Sequence, residues 1–226
     1  VHAGEIVGLT GLVGAGRTEV VESVFGITRA DAGDVYFEGK KLEDITPDKA
    51  MKIGIGLLPE DRQKQGLLLD WSINRNISLS VLSKCQDGPV LKKSKEYAIS
   101  ERLKELLAIK APTTDTFTGA LSGGNQQKLI VAREIHDRAQ VVVASQPTRG
   151  LDIGATEFVR DRLVEQRNAG KGVLLISADL EEIMALSDRI AVLFGGRIVG
   201  VLTRQEATVE KIGLLMGGIT GKEAVR

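Results

Sequence analysis

A glycine-rich turn joins a strand-like segment to a helix-like segment near the start of the chain. Glu5–Gly11 is apolar and partly β-branched, as in a short buried strand, and Thr18–Gly26 places valines and a phenylalanine at helical spacing. Gly26 stands where such a helix would end in a left-handed capping residue. Glycine makes up 26 of the 226 residues, well above the share of about 7% in average proteins. Because glycine lets the backbone approach another group closely, the cluster predicts a strand–turn–helix unit whose turn lies close to a ligand.

Strands and helices alternate along the rest of the chain. The predicted strands are Val35–Glu38, Ile53–Leu58, Gln140–Ala144, Gly172–Ser177 and Arg189–Phe194, and the predicted helices are Ile153–Asn168 and Leu180–Ser187. Most of these strands are apolar, which is typical of parallel strands that are covered on both faces. The sequence therefore predicts an α/β fold with a mostly parallel sheet.

Residues 73–109 have a different, helical pattern with a charged face. Ile99, Leu103, Leu106 and Leu107 form the expected apolar stripe beside charges of alternating sign. We expect one domain over residues 1–226, with a core lobe of 1–72 and 121–226 and a helical lobe of 73–120. The chain opens at Val1 without a Met and enters a strand pattern at once, so we expect it to be a piece of a longer protein.

Composition excludes several classes of function. The 30 basic and 30 acidic residues balance, whereas a nucleic-acid interface needs a clear excess of Lys and Arg. The single Cys85 rules out a disulfide framework and a zinc site built on cysteines. No apolar stretch approaches the roughly 20 residues of a membrane-spanning helix. Neither His2 nor His136 has a partner at the spacing of metal ligands.

The first glycine cluster, Gly11-Leu12-Val13-Gly14-Ala15-Gly16-Arg17-Thr18, has the spacing of a P-loop. In such a loop, backbone N–H groups at a helix N-terminus hold phosphate oxygens in the positive end of the helix dipole. Arg17 stands where a Lys is expected, and its longer, planar guanidinium differs from the point charge that usually contacts the phosphates. On this segment alone, a plain glycine-rich turn stays open as the alternative.

A dinucleotide-binding dehydrogenase is disfavoured by the spacing. The fingerprint G-x-G-x-x-G fails because Glu19 stands where its third glycine is required. Tyr36 and Lys40 show the Tyr-x-x-x-Lys spacing of short-chain dehydrogenases. They lie in a strand-like run, however, where that spacing does not bring them together.

A second glycine cluster, Leu121-Ser122-Gly123-Gly124-Asn125-Gln126-Gln127-Lys128, stands directly before a helical run. A serine and two glycines at a helix N-terminus offer a hydroxyl, bare amides and the helix dipole to an anion. The apolar run Val141–Ala144 comes next and leads into Ser145-Gln146-Pro147-Thr148 and then Gly150-Leu151-Asp152. The second glycine cluster is therefore a second anion-binding geometry, and a buried strand follows it.

Taken in order, these segments resemble the nucleotide-binding domain of ABC transporters over almost the whole chain. The first glycine cluster is similar to the Walker A motif of that family, and Leu121–Gly124 is similar to its signature. Val141–Thr148 resembles the Walker B strand, Gly150–Asp152 the D-loop and Ile176–Leu180 the switch strand. The resemblance implies a P-loop NTPase (ABC ATPase) core with a mostly parallel sheet and a helical lobe, and we expect the N-terminal antiparallel strands of the family to be truncated in this chain.

The finer resemblance is to the C-terminal cassette of fused, two-cassette importers for simple sugars and nucleosides. It rests on LSGGNQQK, on the GAGRTE form of Walker A, on Pro59-Glu60-Asp61-Arg62 in place of a Q-loop Gln, and on PTRGLDIGA. Ser145-Gln146-Pro147 favours the branch that serves nucleosides or basic membrane lipoproteins. The resemblance therefore implies that this domain energises the import of a simple sugar or nucleoside.

ATP and Mg²⁺ are the cofactors that the resemblance implies. The implied nucleotide contacts are Gly11, Gly14, Ala15, Gly16, Arg17, Thr18, Ser122, Gly123, Gly124, Gln126 and Asp152. Thr18 and Ser145 take the Mg²⁺ positions, with Ser145 in place of an Asp. Gln146 takes the position of the catalytic Glu, and Ala178 takes that of the switch His.

These substitutions weaken the chemistry that the family performs. Gln146 has no carboxylate to act as a base, Ser145 is neutral and shorter than Asp, and Ala178 has no side-chain donor. We therefore expect little or no hydrolysis at this chain's own Walker site, and weak or no binding of Mg-ATP by the isolated chain.

The intact signature implies a division of labour between two cassettes. This chain would complete the ATPase site whose Walker motifs belong to a second cassette, fused or separate. The other implied partners are transmembrane permease subunits and, indirectly, a periplasmic or lipoprotein solute-binding protein, with no nucleic acid, at the cytoplasmic face of the membrane. Trp71 and Leu67–Leu69 fall where cassettes of the family receive the permease, although a core role for Trp71 is equally open.

Two other functions stay open. A structural or regulatory ABC domain without productive nucleotide binding fits the lost carboxylates. A soluble ABC ATPase of DNA repair or translation would be expected to show basic surfaces or long inserted arms, which the balanced charge and the short chain disfavour.

Overall fold

The computed structural model describes residues 1–135 and 139–219. The strands are β1 (Ile6–Gly11), β2 (Tyr36–Phe37), β3 (Lys40–Lys41), β4 (Ile55–Leu58), β5 (Gln86–Asp87), β6 (Val90–Leu91), β7 (Val141–Ser145), β8 (Gly172–Ile176), β9 (Arg189–Phe194) and β10 (Arg197–Thr203). The α-helices are α1 (Arg17–Phe25), α2 (Pro47–Ile53), α3 (Ile73–Ser80), α4 (Lys93–Leu106), α5 (Gly123–Glu134), α6 (Ile153–Asn168), α7 (Leu180–Leu186) and α8 (Val209–Met216). A π-helical turn spans Arg62–Gly66, and 3₁₀ turns span Leu82–Lys84 and Thr118–Ala120.

Six strands form one sheet in the order β10-β9-β1-β8-β7-β4. Strands β9, β1, β8 and β7 pair in parallel, and β10 pairs antiparallel with β9 at one edge. The other four strands form two short hairpins, β2–β3 and β5–β6. The mostly parallel sheet that the sequence predicts is confirmed.

The carboxyl ends of β1, β8 and β7 meet at the same end of this sheet. Leu9 of β1 and Ser145 of β7 both pair with Ile176 of β8. The Ser177 N–H donates to the Leu9 carbonyl at 3.2 Å. The segments that follow these three strands therefore start side by side, which is where open α/β sheets bind their ligands.

Helix α1 packs on the same part of the sheet. Val21 and Phe25 are buried in one cluster with Leu9 and Val143. Gly26 ends the helix in the left-handed conformation, with a φ of 79°, as the sequence predicts. Because both flanking elements are held by the core, the turn between β1 and α1 has fixed ends.

The chain divides into two compact units. The first contains Val1–Leu57, residues 139–146 and residues 163–219, and the second contains residues 58–135 and Pro147–Arg162. Residues 73–120, all of which the structure describes, lie in the second unit and contribute no strand to the six-stranded sheet. The second unit extends beyond residues 73–120 and also includes residues 58–72, 121–135 and 147–162, because these segments pack within it. A Cβ on Gly66, for example, would lie 2.6 Å from the side chain of Ile130 in α5.

Two expectations for the helical segment are wrong in detail. The hairpin β5–β6 interrupts the predicted helical run between α3 and α4. Leu106, expected in the apolar stripe, is 63% exposed, whereas Glu96 on the expected charged face is only 7% exposed. The reason is that α4 ends at Leu106 and the chain turns at Ala108 with a φ of 47°, which brings Leu107 rather than Leu106 into the core.

In the part of the chain that the structure describes, none of the helices combines the length and the apolar character that a bilayer crossing requires.

Candidate functional site

The turn between β1 and α1 is an exposed loop whose shape requires glycine. Gly14 and Gly16 have φ angles of 80° and 105°, in the left-handed region that other residues rarely adopt. A Cβ on Gly11 would lie 2.5 Å from the carbonyl oxygen of Leu193, so any larger residue would collide with β9. The Ala15 N–H donates to the Leu12 carbonyl at 3.1 Å and closes the turn.

Helix α1 begins directly after this loop. Its cap residue is Gly16, which has no side chain to bond the first amides of the helix. Arg17 is half-buried and Thr18 is exposed in the first turn. Apart from its chain neighbours, no described atom lies within 4 Å of the position that a Cβ on Gly14 would take. Helix amides without a side-chain cap, the positive end of the dipole and a nearby guanidinium fit a phosphate group.

Gln146 and Ala178 follow the neighbouring strands β7 and β8, and the structure brings them into contact. The Ala178 N–H donates to Oε1 of Gln146 at 3.2 Å. The Gln146 N–H donates to the carbonyl of Ile176 at 2.7 Å. Gln146 has a φ of 48°, a strained conformation for a residue with a Cβ, of a kind that clusters at functional sites. Ser145 ends β7 and is 4% exposed.

None of the described residues at these strand ends offers a base. The side-chain oxygen of Gln146 already accepts a hydrogen bond, and its amide nitrogen can only donate. The next acid, Asp179, caps α7 by accepting hydrogen bonds from the N–H groups of Glu181 and Glu182 at 2.9 and 3.3 Å. The residues at these strand ends can therefore orient a polar group, but they are poorly suited to accept a proton from it.

A divalent cation would find few ligands here. Mg²⁺ is usually held by carboxylates together with waters and phosphate oxygens, whereas Thr18 and Ser145 contribute hydroxyls only. The described residues contain no group of three or more His, Cys, Asp or Glu side chains that could hold a metal, and His136 lies outside them. The loop thus fits the phosphates of a nucleotide better than it fits the Mg²⁺ that accompanies them.

The second glycine cluster opens α5 in the second unit. The Oγ of Ser122 caps this helix, accepting from the backbone N–H of Asn125 at 3.4 Å and from its side-chain Nδ2 at 2.9 Å. The Oδ1 of Asn125 accepts from the Lys110 N–H at 2.8 Å. Ser122 itself is exposed. The serine that the sequence singles out therefore stands at the solvent-facing start of a helix, where an anion binds most easily.

Gly124 lies against the start of α6. A Cβ on Gly124 would lie 2.9 Å from the Cβ of Ala155 and 3.5 Å from Oδ2 of Asp152. The other carboxylate oxygen of Asp152 accepts from the Ala155 N–H at 2.8 Å. The structure thus brings together two predicted site segments that lie far apart in the sequence.

Arg62 meets the same helix start through contacts that the sequence does not reveal. A Cβ on Gly123 would lie 2.9 Å from Nη2 of Arg62, and Nη1 of Arg62 donates to the Arg149 carbonyl at 2.9 Å. The Arg149 guanidinium in turn donates to Oε1 of Glu60 at 2.5 Å. In the sequence, Pro59–Arg62 stands out only as a departure from a family motif, because no spacing links residue 62 to residue 149.

Gln126, an expected nucleotide contact, is only 2% exposed. Its Nε2 donates to the Thr118 carbonyl at 3.4 Å, and its Oε1 accepts from Nε2 of Gln63 at 3.2 Å. The hydrogen bonds of this side chain are thus made inside the second unit.

A pocket of about 540 Å³ on the second unit is lined by aromatic and charged side chains. Trp71 and Phe117 are 40% and 63% exposed, and the guanidinium of Arg75 lies 5.8 Å from the centre of the Trp71 ring. The Tyr97 hydroxyl donates to Asp115 at 2.6 Å, and this bond to a carboxylate raises the pKa of Tyr97. Trp71 thus contributes to the surface of this pocket rather than to a closed core.

Solved structures of ATP-binding cassettes share this fold. The dimeric cassette MJ0796 in a post-hydrolysis state bound to ADP and phosphate aligns with a TM-score of 0.76 at 22% sequence identity, over 90% of this chain and 87% of that chain. The cassette MJ1267 in its ADP conformation aligns with a TM-score of 0.73 at 20% identity, over 99% of this chain and 87% of that chain. The expected P-loop ABC ATPase fold is therefore confirmed.

Curated relatives are import ATP-binding proteins. The guanosine import ATP-binding protein NupO of Bacillus subtilis (strain 168) is 48% identical over 226 residues, which are 99% of this chain and 44% of that protein. The ribose import ATP-binding protein RbsA of Oceanobacillus iheyensis is 41% identical over 223 residues, which are 99% of this chain and 45% of that protein. The chain spans less than half the length of these relatives.

The family model described as ABC transporter matches residues 1–149, well over half of the chain. This match covers the glycine loop, the signature start of α5 and the strand that ends at Ser145. On these residues, the chain belongs to the ABC transporter family.

Proposed function

We propose that this chain is an ATP-binding cassette that energises the import of a simple sugar or nucleoside. The observation that carries the proposal is a contrast between two sites. Ser122 caps an exposed helix start with Asp152 beside it, whereas the strand ends at Ser145 and Gln146 carry no charge. The chain is 48% identical to a protein named for guanosine import and 41% identical to one named for ribose import. These identities support a nucleoside or a simple sugar as the class of solute.

The chain's own glycine loop is proposed to hold ATP weakly and not to hydrolyse it. The proposed contacts are Gly11, Gly14, Ala15, Gly16, Arg17 and Thr18. When bound, ATP supplies the phosphates and Mg²⁺ neutralises part of their charge. Gln146 can donate a hydrogen bond to water but cannot remove its proton. Loss of one catalytic group typically lowers the rate of the reaction about 10²–10³-fold, and the effects of several losses within one site do not add.

The start of α5 is proposed to complete the ATPase site of a second cassette. The Ser122 hydroxyl, the amides of Gly123 and Gly124 and the positive end of the helix dipole would contact the γ-phosphate of ATP held by that cassette. Asp152, which packs against Gly124, would lie at the contact between the cassettes. The MJ0796 cassette, which has the same fold, is dimeric.

The proposed partners follow from the same assembly. The import relatives are more than twice as long as the segment that this chain matches, which is enough length for a second cassette fused to this one. The C-terminal position of this chain is proposed from the resemblance of its motifs alone. The pocket around Trp71 and Phe117 is proposed to receive a permease subunit at the cytoplasmic face of the inner membrane, since exposed aromatic rings are common anchors of protein interfaces. A periplasmic or lipoprotein solute-binding protein would act on the outer side.

A regulatory domain without productive nucleotide binding is the second candidate. One observation favours it. Gln146 and Ala178, at the positions of the catalytic Glu and the switch His, are uncharged and are hydrogen-bonded to each other. The two candidates differ in whether the signature of this chain takes part in turnover.

Import is tested by uptake into vesicles. The complete ATP-binding protein that contains this chain is assembled with its permease so that the cassettes face a lumen loaded with Mg-ATP. We expect labelled guanosine, added outside with the solute-binding protein, to accumulate only when ATP is enclosed, and ribose to serve as the comparison solute. Uptake of neither solute, or uptake that is equal with ADP enclosed, would contradict the proposal.

Nucleotide binding by the isolated chain tests the state of its own site. We expect calorimetry to show weak or no binding of Mg-ATP, because Arg17 replaces the usual Lys and Ser145 offers no carboxylate to the metal. The matched variant, Arg17→Lys with Ser145→Asp, is expected to gain binding that depends on Mg²⁺. Micromolar, Mg²⁺-dependent binding by the unaltered chain would show that its own site is intact.

A further inference from the structure

A buried amide ties the Trp71 segment to the loop that precedes the signature. Asn76 of α3 is fully buried. Its Oδ1 accepts from the Leu68 N–H at 3.0 Å, and its Nδ2 donates to the Leu68 carbonyl at 2.9 Å and to Oγ1 of Thr118 at 3.0 Å. One side chain thus joins two loops that lie fifty residues apart in the sequence.

Thr118 passes this connection on to the signature helix. It is fully buried, and its N–H donates to the Trp71 carbonyl at 2.9 Å. Its carbonyl accepts from Nε2 of Gln126 at 3.4 Å. Gln126 lies in the first turn and a half of α5, and its own N–H donates to the carbonyl of Ser122 at 2.9 Å. Continuous hydrogen bonds therefore run from Trp71 to Ser122.

Backbone bonds make the two loops a single structural piece. The Ile73 N–H donates to the Thr116 carbonyl at 3.0 Å, and the Gly119 N–H donates to the Leu69 carbonyl at 2.9 Å. Ser72 and Phe117 form an isolated antiparallel bridge between them. A displacement of Trp71 would therefore move Thr118, which stands four residues before Ser122.

Asn76 and Gln126 are amide side chains at buried positions of helices. Asn is a poor residue for a helix interior, and a buried amide is tolerated only when its donors and acceptors are satisfied. An apolar side chain at position 76 would leave the N–H and carbonyl of Leu68 and the Thr118 hydroxyl without these bonds. Satisfied buried polar networks specify one arrangement of the segments that they join.

We propose that Asn76, Thr118 and Gln126 are positioning residues that set the signature start at Ser122 according to the state of the Trp71 pocket. This inference rests on the proposed function, since it assigns the pocket to the permease and the signature to ATP turnover. It also gives Gln126 a role that matches its buried hydrogen bonds, in place of direct contact with the nucleotide. Docking of the permease at Trp71 thereby raises turnover at the site that Ser122 completes.

Thr118→Val tests the inference because it keeps the shape of the side chain and removes only the hydroxyl that Asn76 bonds. ATP turnover is measured for the complete ATP-binding protein, alone and assembled with its permease in vesicles. We expect the increase in kcat on assembly to fall about fivefold or more, as for a lost coupling between sites, with the KM for ATP unchanged. Thr118→Ser, which restores the hydroxyl, is expected to restore the increase.

The matched control removes a buried hydroxyl in α3, the helix that carries Asn76, and this hydroxyl is outside this chain of bonds. Ser78 donates to the Asn74 carbonyl at 2.7 Å, and Ser78→Ala is expected to keep the full increase on assembly. Melting temperatures of both variants show that each is folded. An unchanged increase in Thr118→Val, or an equal loss in Ser78→Ala, overturns the inference alone. An unaltered protein whose turnover does not respond to the permease overturns the proposed function and the inference with it.

Discussion

Replacement of Ser122 by Arg is expected to abolish ATP turnover in the assembled transporter. The larger, cationic side chain would occupy the space before α5, where the Ser122 hydroxyl and the amides of Gly123 and Gly124 are proposed to meet the γ-phosphate. Removing one group that stabilises the transition state typically lowers a rate about 10²–10³-fold, and this change blocks several groups at once. We therefore expect phosphate release to fall by at least about 100-fold.

Two further variants at the same position separate loss of the site from loss of the helix cap. Ser122→Ala removes the bonds that Oγ accepts from Asn125 and is expected to cost about 0.5–2 kcal/mol of stability, as other caps do. Ser122→Thr keeps a hydroxyl and is expected to keep turnover. A folded Ser122→Arg protein that still releases phosphate would show that the signature of this chain is idle.

Replacement of Trp71 by Ala is expected to weaken assembly with the permease. Trp residues at the centre of an interface are among its strongest anchors, and truncating one typically costs about 2 kcal/mol or more of binding free energy. That free energy corresponds to a dissociation constant raised about 30-fold. The constant is measured directly, with the permease held in a lipid disc and the complete ATP-binding protein titrated onto it.

Leu106→Ala is the matched control for this prediction. Leu106 lies in the same unit and is 63% exposed, and it does not line the pocket that Trp71 lines. We expect its affinity for the permease to equal that of the unaltered protein. Equal losses in the two variants would mean that general surface hydrophobicity, rather than the Trp71 pocket, drives assembly.

Features that depend on local chemistry could be predicted from the sequence. The glycines of the loop after β1 are required by left-handed backbone angles and by close approach to Leu193, so their spacing alone marks the loop. Ser122 is a helix cap in the sequence pattern and in the structure. The contact between Gln146 and Ala178, by contrast, depends on β7 and β8 being neighbours in the sheet, an order that local sequence patterns do not predict.

Features that depend on contacts between distant segments could not be predicted. The sequence pattern gives no reason for Arg62 to lie between Gly123 and the Arg149 carbonyl. Burial of Gln126 depends on where the loop carrying Thr118 folds. The binding motif around Gln126 therefore predicts a contact with the ligand, although the side chain lies in the protein interior.

Helix α2 and the hairpin β5–β6 are among the elements absent from the sequence prediction, although local signals for them exist. Helix α2 has a Thr46 cap followed by Pro47, a common start for a helix. The short hairpin β5–β6 turns at Gly88, which has a φ of 61°, but its strands are too short to stand out from the helical pattern around them.

Phosphate release by Ser122→Arg and Gln146→Ala, compared in the same assembled transporter, tests the proposed division of labour most directly. If the signature of this chain serves the site of the partner cassette, Ser122→Arg loses turnover by at least about 100-fold and Gln146→Ala stays close to the unaltered protein. The reverse result, with Gln146→Ala silent and Ser122→Arg active, would contradict the account, because it would place the chemistry in this chain's own site with Gln146 as the group that positions water.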